Sequence, residues 1–262
     1  MKISRLLFFI IFSLLITIYS CQKDGTGINT GQGTLNIYLT DAPAMMVYDS
    51  IKITFSQVSA HHDSGWITVT GNPMTVDLLE WTNGNTILVG SAEVPAGKYT
   101  QIRVIIDDAE IGVDGGVFPL DVPSGAQTGL KFGPEFTIEE GSTYELVMDF
   151  DANHSIVVNG PWHSPKGYKL KPHIRVIATA VSGSISGIVS NPADVPVAHA
   201  IQSGDTINTS VVDTVSGYFM LGFLPEGEYT VSVVDTNNLS FSQDNVMVTA
   251  GDDYDLGTFE LQ

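Results

Sequence analysis

The chain has 262 residues, with 29 acidic and 11 basic side chains, and a formal charge of -18. Hydrophobic residues make up 43%, enough to pack a core, so a disordered acidic tail protein is excluded. The scarcity of cations excludes nucleic acid as a partner, because a phosphate backbone needs a cationic face, and a single cysteine excludes an intrachain disulfide or a cysteine zinc site.

The N-terminal twenty residues read as a secretory address. Lys2 and Arg5 precede an apolar stretch from Leu6 to Ile18, too short to span a hydrocarbon core of about 30 Å. Ile18-Tyr19-Ser20-Cys21 follows, then a polar, glycine-rich run to Gln32. The tetrapeptide resembles the lipobox of bacterial lipoproteins, in which the cysteine is acylated and becomes the new N-terminus. That resemblance implies a lipoprotein signal peptide over 1–20, lipidation at Cys21 and a flexible leash over 21–32. Acyl chains on Cys21 would anchor the chain to a membrane without spanning it.

From Gly33 onward apolar residues alternate with polar ones. Leu35, Ile37 and Leu39 share one parity, as do Ile51, Ile53 and Phe55, then Ile102, Val104 and Ile106, then Tyr144, Leu146, Met148 and Phe150. Turn chemistry separates the runs: Asn83-Gly84, Asp114-Gly115-Gly116, Pro123-Ser124-Gly125 and Asn159-Gly160. Many short alternating runs of this kind predict an all-β chain of antiparallel sandwiches. A compositional step near Ser182 divides it. Residues 33–181 carry 8 Lys and Arg against 17 acids, and residues 182–262 carry 11 acids and no Lys or Arg. Two β-sandwich domains, 33–181 and 182–262, are expected. Without internal cations, the acids of the second must be solvated or meet a metal or a cationic partner.

One motif occurs twice. Val94-Pro95-Ala96-Gly97-Lys98-Tyr99-Thr100 returns as Leu224-Pro225-Glu226-Gly227-Glu228-Tyr229-Thr230. Proline and glycine preset a turn, and the tyrosine then starts a strand with its ring toward the core. Similar sandwich corners are expected in both domains.

Residues 183–262 resemble the carboxypeptidase-regulatory-like (transthyretin-like) sandwich family. Gly183-Ser184-Ile185-Ser186-Gly187-Ile188-Val189, Pro196-Val197-Ala198-His199-Ala200 and the run Asp213 to Tyr229 carry the resemblance. Val197 and His199 stand where that family has Leu and Gly. The resemblance implies an immunoglobulin/transthyretin-like sandwich, grouped with carbohydrate-binding-like folds, and so a glycan as one partner class. Residues 33–178 resemble an uncharacterised family of bacterial envelope lipoproteins, domain-of-unknown-function family 4382. Leu39-Thr40-Asp41-Ala42-Pro43, Val76-Asp77-Leu78-Leu79, Asp149-Phe150-Asp151 and Leu170-Lys171-Pro172-His173-Ile174-Arg175-Val176 carry it. It implies architecture and an envelope location, not a chemistry.

No nucleophile elbow, HExxH, phosphate loop or dinucleotide fingerprint occurs, so a non-catalytic module is expected. Three features bear on ligands. Glu145, Asp149 and Asp151 share a strand parity, and so do Lys169, Lys171, His173 and Arg175. If the two strands pair, they form a cross-strand ion-pair ladder, or an anion or sugar-acid site on Lys169, Lys171 and Arg175 with Trp162 as a stacking platform. Asp41 beside Asp149 or Asp151 would supply hard oxygen ligands for Ca2+, although aspartates at strand ends also make Asx turns. His61 and His62, adjacent in a strand, point to opposite faces and are poorly placed to share a metal. The expectation is a lipid-anchored envelope protein, at the outer membrane, acting in binding, adhesion or structure. Its partners would be the membrane, through the anchor, and a glycan or another envelope protein. Glycan recognition by the C-terminal sandwich or the Trp162 loop, and calcium-dependent adhesion, stand as alternatives.

Overall fold

Apolar residues at every second position give a strand one face to bury, and β1 (Gln32–Ala42) uses it fully: Leu35, Ile37 and Leu39 are wholly buried. A computed structural model describes residues 31–42, 48–161 and 165–262. The segment expected to be a signal peptide (residues 1–20), Cys21 and Trp162 lie outside the described residues. After β1 come β2 (Tyr48–His62), β3 (Gly65–Thr70), β4 (Met74–Asp77), β5 (Ile87–Pro95), β6 (Gly97–Val113), β7 (Gly116–Asp121), β8 (Leu130–Phe132) and β9 (Phe136–Ile138). Next are β10 (Thr143–Asp151), β11 (Ile156–Asn159), β12 (Gly167–Leu170) and β13 (Ile174–Ala178). A four-stranded sheet, β13-β10-β1-β5, packs on a nine-stranded one whose path is β11-β12-β7-β6-β2-β3, and the two enclose one hydrophobic core.

The second sandwich holds β14 (Ser182–Val189), β15 (Val197–Gln202), β16 (Asp205–Val211), β17 (Tyr218–Pro225), β18 (Gly227–Val234), β19 (Ser240–Val248) and β20 (Asp253–Phe259). Its sheets, β17-β14-β20 and β16-β15-β18-β19, enclose a separate core around Phe219, Leu221, Tyr229 and Val231. The all-β architecture is as expected. The pairing is mostly antiparallel, but β1 runs parallel to β10 and β14 parallel to β20. In each sandwich the chain crosses to the facing sheet before the strand that runs parallel to the first returns beside it, a route that a tight hairpin cannot provide.

The two bodies repeat one plan. β1 sits between β5 and β10 as β14 sits between β17 and β20, and β2 pairs with β3 and β6 as β15 pairs with β16 and β18. β6 continues to β9 as β18 continues to β19. The match reaches single backbone bonds. Thr34 N–H donates to Ser142 O at 2.8 Å and Ser184 N–H to Asp252 O at 3.0 Å, while Gly141 N–H reaches Gln32 O and Gly251 N–H reaches Ser182 O. The first body adds β4, β7, β8 and β11 to β13 to this shared plan.

The repeated motif forms the matching corners. Gly97 and Gly227 adopt φ of 140° and 151°, open to glycine and costly for other residues. The turn they make places Tyr99 OH on Pro95 O at 2.7 Å and Tyr229 OH on Pro225 O at 2.9 Å. Both rings are buried, and burial pushes the Tyr99 phenol up to about 12. Tyr99→Phe and Tyr229→Phe should each lower stability by about 1 kcal/mol, the net worth of one such bond. Because the rings lie in separate cores, the double variant's loss in urea denaturation should be close to the sum.

Candidate functional site

β10 has both faces covered. Leu146, Met148 and Phe150 point into the first core, yet Val147 and Asp149, of the opposite parity, are only 1% and 5% exposed. The register places Val147 opposite Ile177 and Tyr38, and Asp149 opposite Arg175 and Thr40. The second sandwich covers this outward face, with β16 lying against β1. A turn from the first body pegs the contact. Asn83 and Gly84 have φ of 54° and 80°, and Asn83 Oδ1 accepts from the hydroxyl of buried Ser210. A Cβ at Gly84 would have to displace the flexible Met220 thioether, and the positive φ of Gly84 is the stronger reason for glycine there.

Beside this contact is a cleft of about 150 Å³ lined by Asp149, Asp151, His154, His173 and Arg175 on one side and by Thr206 to Thr209 on the other. Arg175 Nη2 donates to Asp149 Oδ2 at 2.6 Å. Asp149 Oδ1 and Arg175 Nη1 are buried without a hydrogen-bond partner among the described residues. Burial raises the Asp149 carboxyl above its usual range and the Arg175 charge opposes the shift, so the pair is held together against the cost of desolvation. Asp151 caps the helical turn Ala152–Ser155: its Oδ1 accepts from His154 N–H at 3.0 Å, and its Oδ2 lies 2.6 Å from His154 Nδ1. The rings of His154 and His173 stand 5.8 Å apart.

The structure thus brings Asp149, Asp151 and Arg175 together and leaves Lys169 and Lys171 out. The parity that links Lys169 to Arg175 in the sequence is broken at Pro172, which has no N–H for a ladder. Lys169 lies in β12 of the nine-stranded sheet, opposite Val157 and Asp121, and the chain changes sheets before β13 begins. Lys171 N–H donates to Ser155 O at that crossing. The expected ladder therefore has one rung, Asp149 with Arg175.

Asp41 keeps the parity of Leu35, Ile37 and Leu39 and points inward, away from the face that carries Asp149. Its Oδ1 accepts from Ala152 N–H at 3.0 Å, and its buried Oδ2 has no partner among the described residues. The residues from Asp149 to Asn153 end a strand and start a helical turn, with no calcium-type loop. Among the described residues no three His, Cys, Asp or Glu side chains are grouped to hold a metal ion. His61 and His62 take separate partners, Thr100 and Ser64. The Trp66 ring carries Arg103 at 4.5 Å and Lys131 at 5.6 Å, and Trp81 packs against the first core.

The acids of the second sandwich find another answer to the lack of cations. Asp213 accepts from Val215 and Ser216 N–H, Asp235 from Asn237 and Leu239 N–H, and Asp253 from the hydroxyls of Ser184 and Ser186. These are Asx turns and strand-end bonds. At Asp213 the backbone and hydroxyl of Ser216 hold the carboxyl below its usual range.

Two stability measurements follow. Arg175→Met leaves Asp149 buried without its cation and should cost about 3–5 kcal/mol, and adding Asp149→Leu should recover most of it. Asp41 is held well above the usual carboxylate value of 3.8 by burial, with Asp149, Asp151 and Asp77 adding to the shift and the Ala152 bond opposing it. A folded-state pKa above the unfolded one contributes stability that is full below the unfolded value and is lost as pH rises through the folded value. Asp41→Asn should therefore stabilise the protein by about 1 kcal/mol at pH 8, and by less at pH 4, in matched thermal melts.

Residues 32–172 match the family model described as "Domain of unknown function (DUF4382)". No curated protein matches the chain. Among solved structures it is similar to the Bacillus anthracis TIE protein, at 13% identity and a TM-score of 0.25, over 88% of this chain and 34% of that one. The chain thus spans about a third of that protein's length. It is also similar to BcpA, the major pilin subunit of Bacillus cereus (10% identity, TM-score 0.20, 88% of this chain and 70% of that chain). A variant of shaft pilin SpaA from Lactobacillus rhamnosus GG gives 8% identity and a TM-score of 0.22, over 89% of this chain and 98% of that chain.

Proposed function

Because the chain belongs to the DUF4382 family, whose description assigns no activity, we propose a function from its own residues: a lipid-anchored, non-catalytic binding or adhesion module of the bacterial envelope. In this reading Cys21 is acylated, the leash to Gln32 holds the two sandwiches off the outer membrane, and the second sandwich is of the carboxypeptidase-regulatory-like kind. The observation that carries the reading is the seam. The second sandwich is seated on the outward face of β10 and β13, and side chains of both bodies line one polar cleft there. The carboxylates of that cleft are engaged, Asp149 by Arg175 and Asp151 by His154 and a backbone N–H. Paired in this way, the groups give the cleft fixed hydrogen-bonding side chains from both bodies, which suits recognition. The cleft is then the binding surface, built where the two bodies meet.

Metabolic labelling with a palmitate analogue, combined with protease treatment of whole cells, tests the anchor and the exposure together. The chain should take up label, Cys21→Ser should abolish it, and protease should reach the sandwiches only from the side of the membrane that they occupy. A native chain free of fatty acid would overturn the anchored reading.

A further inference from the structure

We infer that the outward face of the nine-stranded sheet, around Trp66, Arg103 and Lys131, binds an acidic polysaccharide through its uronate carboxylates. This face lies across the first sandwich from the seam, so the inference goes beyond the reading of the cleft. Ile102 and Val104 of β6 and Val69 of β3 point into the core, and alternation therefore sends Gln101, Arg103 and Trp66 outward. The register sets Arg103 directly opposite Lys131 of β8, a position in which like charges repel. Other cations of this body have acids for partners: Lys52 meets Glu110, Lys98 meets Glu135 and Arg175 meets Asp149. Arg103 and Lys131 form no ion pair among the described residues. Both lean instead on the Trp66 ring, at 4.5 and 5.6 Å from its centroid. The acids nearest along the chain are placed elsewhere, Glu135 on Lys98, Asp107 on Ser56 and Asp63 in the turn between β2 and β3. In a chain of formal charge -18, two adjacent cations without a carboxylate suit an anion from outside.

The two cations are presented to solvent and held in place. Lys131 is exposed, and of the Arg103 side-chain nitrogens only Nε is wholly buried. Gly129, at a φ of 112°, brings the chain before β8 onto the Arg103 stem, where a Cβ would lie 2.7 Å from Cδ. A guanidinium held between that stretch and Trp66 loses less freedom on meeting a carboxylate than a mobile one. The surroundings select what carries the carboxylate. Thr68 and Gln101 are exposed on the same face, and Gln57 Nε2 donates to Thr68 Oγ1 at 3.0 Å, so amides and hydroxyls stand ready for sugar hydroxyls. A peptide would take a free strand edge or a groove, whereas β2 and β6 are interior strands with a neighbour on each side. A bilayer would take an aromatic ring free to enter the headgroups, whereas Trp66 is partly buried, with His61 at 5.0 Å and Arg103 over its ring. A polymer of uronic acids brings carboxylates and hydroxyls together along one chain, and a flat sheet face can meet several of its units.

Biolayer interferometry on the full chain, in an uncharged detergent, tests this. The immobilised probes are oligogalacturonate, oligomannuronate and hyaluronan, with the methyl ester of each, poly-glutamate and glycerol phosphate for comparison. At least one uronate polymer should bind, its methyl ester should not, and added salt should weaken the binding, because the contact is an exposed charge contact. Arg103→Gln and Lys131→Gln should each weaken it about tenfold, the effect of losing one charge-assisted hydrogen bond. Lys131 is exposed, so Lys131→Gln leaves the core untouched and serves as the test if Arg103→Gln does not fold. Stronger binding of poly-glutamate or glycerol phosphate than of any uronate polymer would overturn the polysaccharide in favour of an acidic peptide or a lipid headgroup. Equal binding of acid and ester, uronate binding unchanged in Lys131→Gln, or silence from every probe would overturn the inference. None of these side chains lines the seam cleft, so its failure would leave the reading of the cleft standing.

Discussion

A carboxylate taken out of water must be matched by a cation or by hydrogen bonds, and Asp149 is taken out of water by the sandwich that lies across β10. Arg175, its register partner on β13, provides the match at 2.6 Å. The two facts depend on each other. Without the second body Asp149 would need no cation, and without the cation the second body could not settle there at reasonable cost. Val147 and Ile177 supply the apolar part of the same contact, and the Asn83-Gly84 peg fixes its position. The seam is therefore apolar at its centre and charged where Asp149 and Arg175 pair, with the cleft beside that pair.

The shared plan of the two bodies gives this seam a particular geometry. The outward face of β10 and β1 in the first body corresponds to that of β20 and β14 in the second. The first is covered, whereas the second carries half-exposed Ile188 and the Asp253–serine bonds. One plan thus serves two purposes, a docking face in the first copy and a solvated face in the second. The difference lies in a few side chains, Val147 and Ile177 against Asp253 and Ser184, and in the extra strand β13, which brings Arg175.

Much of the fold was legible in the sequence because alternation and turn chemistry act locally. The parity of Leu35, Ile37 and Leu39, and the Pro-Gly-Tyr corners, follow from steric and packing rules that need no partner. The candidate site was legible only in part. Asp149 and Arg175 stood out by parity, but Pro172 redirected the chain and removed Lys169 and Lys171 from their row. Asp41 and Asp149 lie on opposite faces by the alternation of their own strands, Asp41 on the inward parity of Leu39 and Asp149 opposite that of Met148, so the pattern that marked both also told against their sharing a site. Thr206 and Thr209 gave no signal, because their role comes from the docking of one sandwich on another, a contact some sixty residues distant along the chain that no local pattern encodes. The acids of the second body were noticed for lacking cations, and Asp213, Asp235 and Asp253 are met by backbone amides and hydroxyls.

Two neighbouring bodies with one plan also carry a hazard while the chain is being made. β1 and β14 seek the same kind of slot, between a strand that leads into a Pro-Gly corner and a strand that follows a glycine turn, and either could enter the other's place. The bodies differ most where such an exchange would be felt. β1 ends in Asp41 and Ala42, eleven residues from its start, whereas β14 is eight residues long and holds Ser186 in the middle of its outer face. A strand of the wrong length would leave amide groups bare at one end. Unequal lengths of like strands work against such an exchange, since the longer strand would find too few partners in the shorter slot.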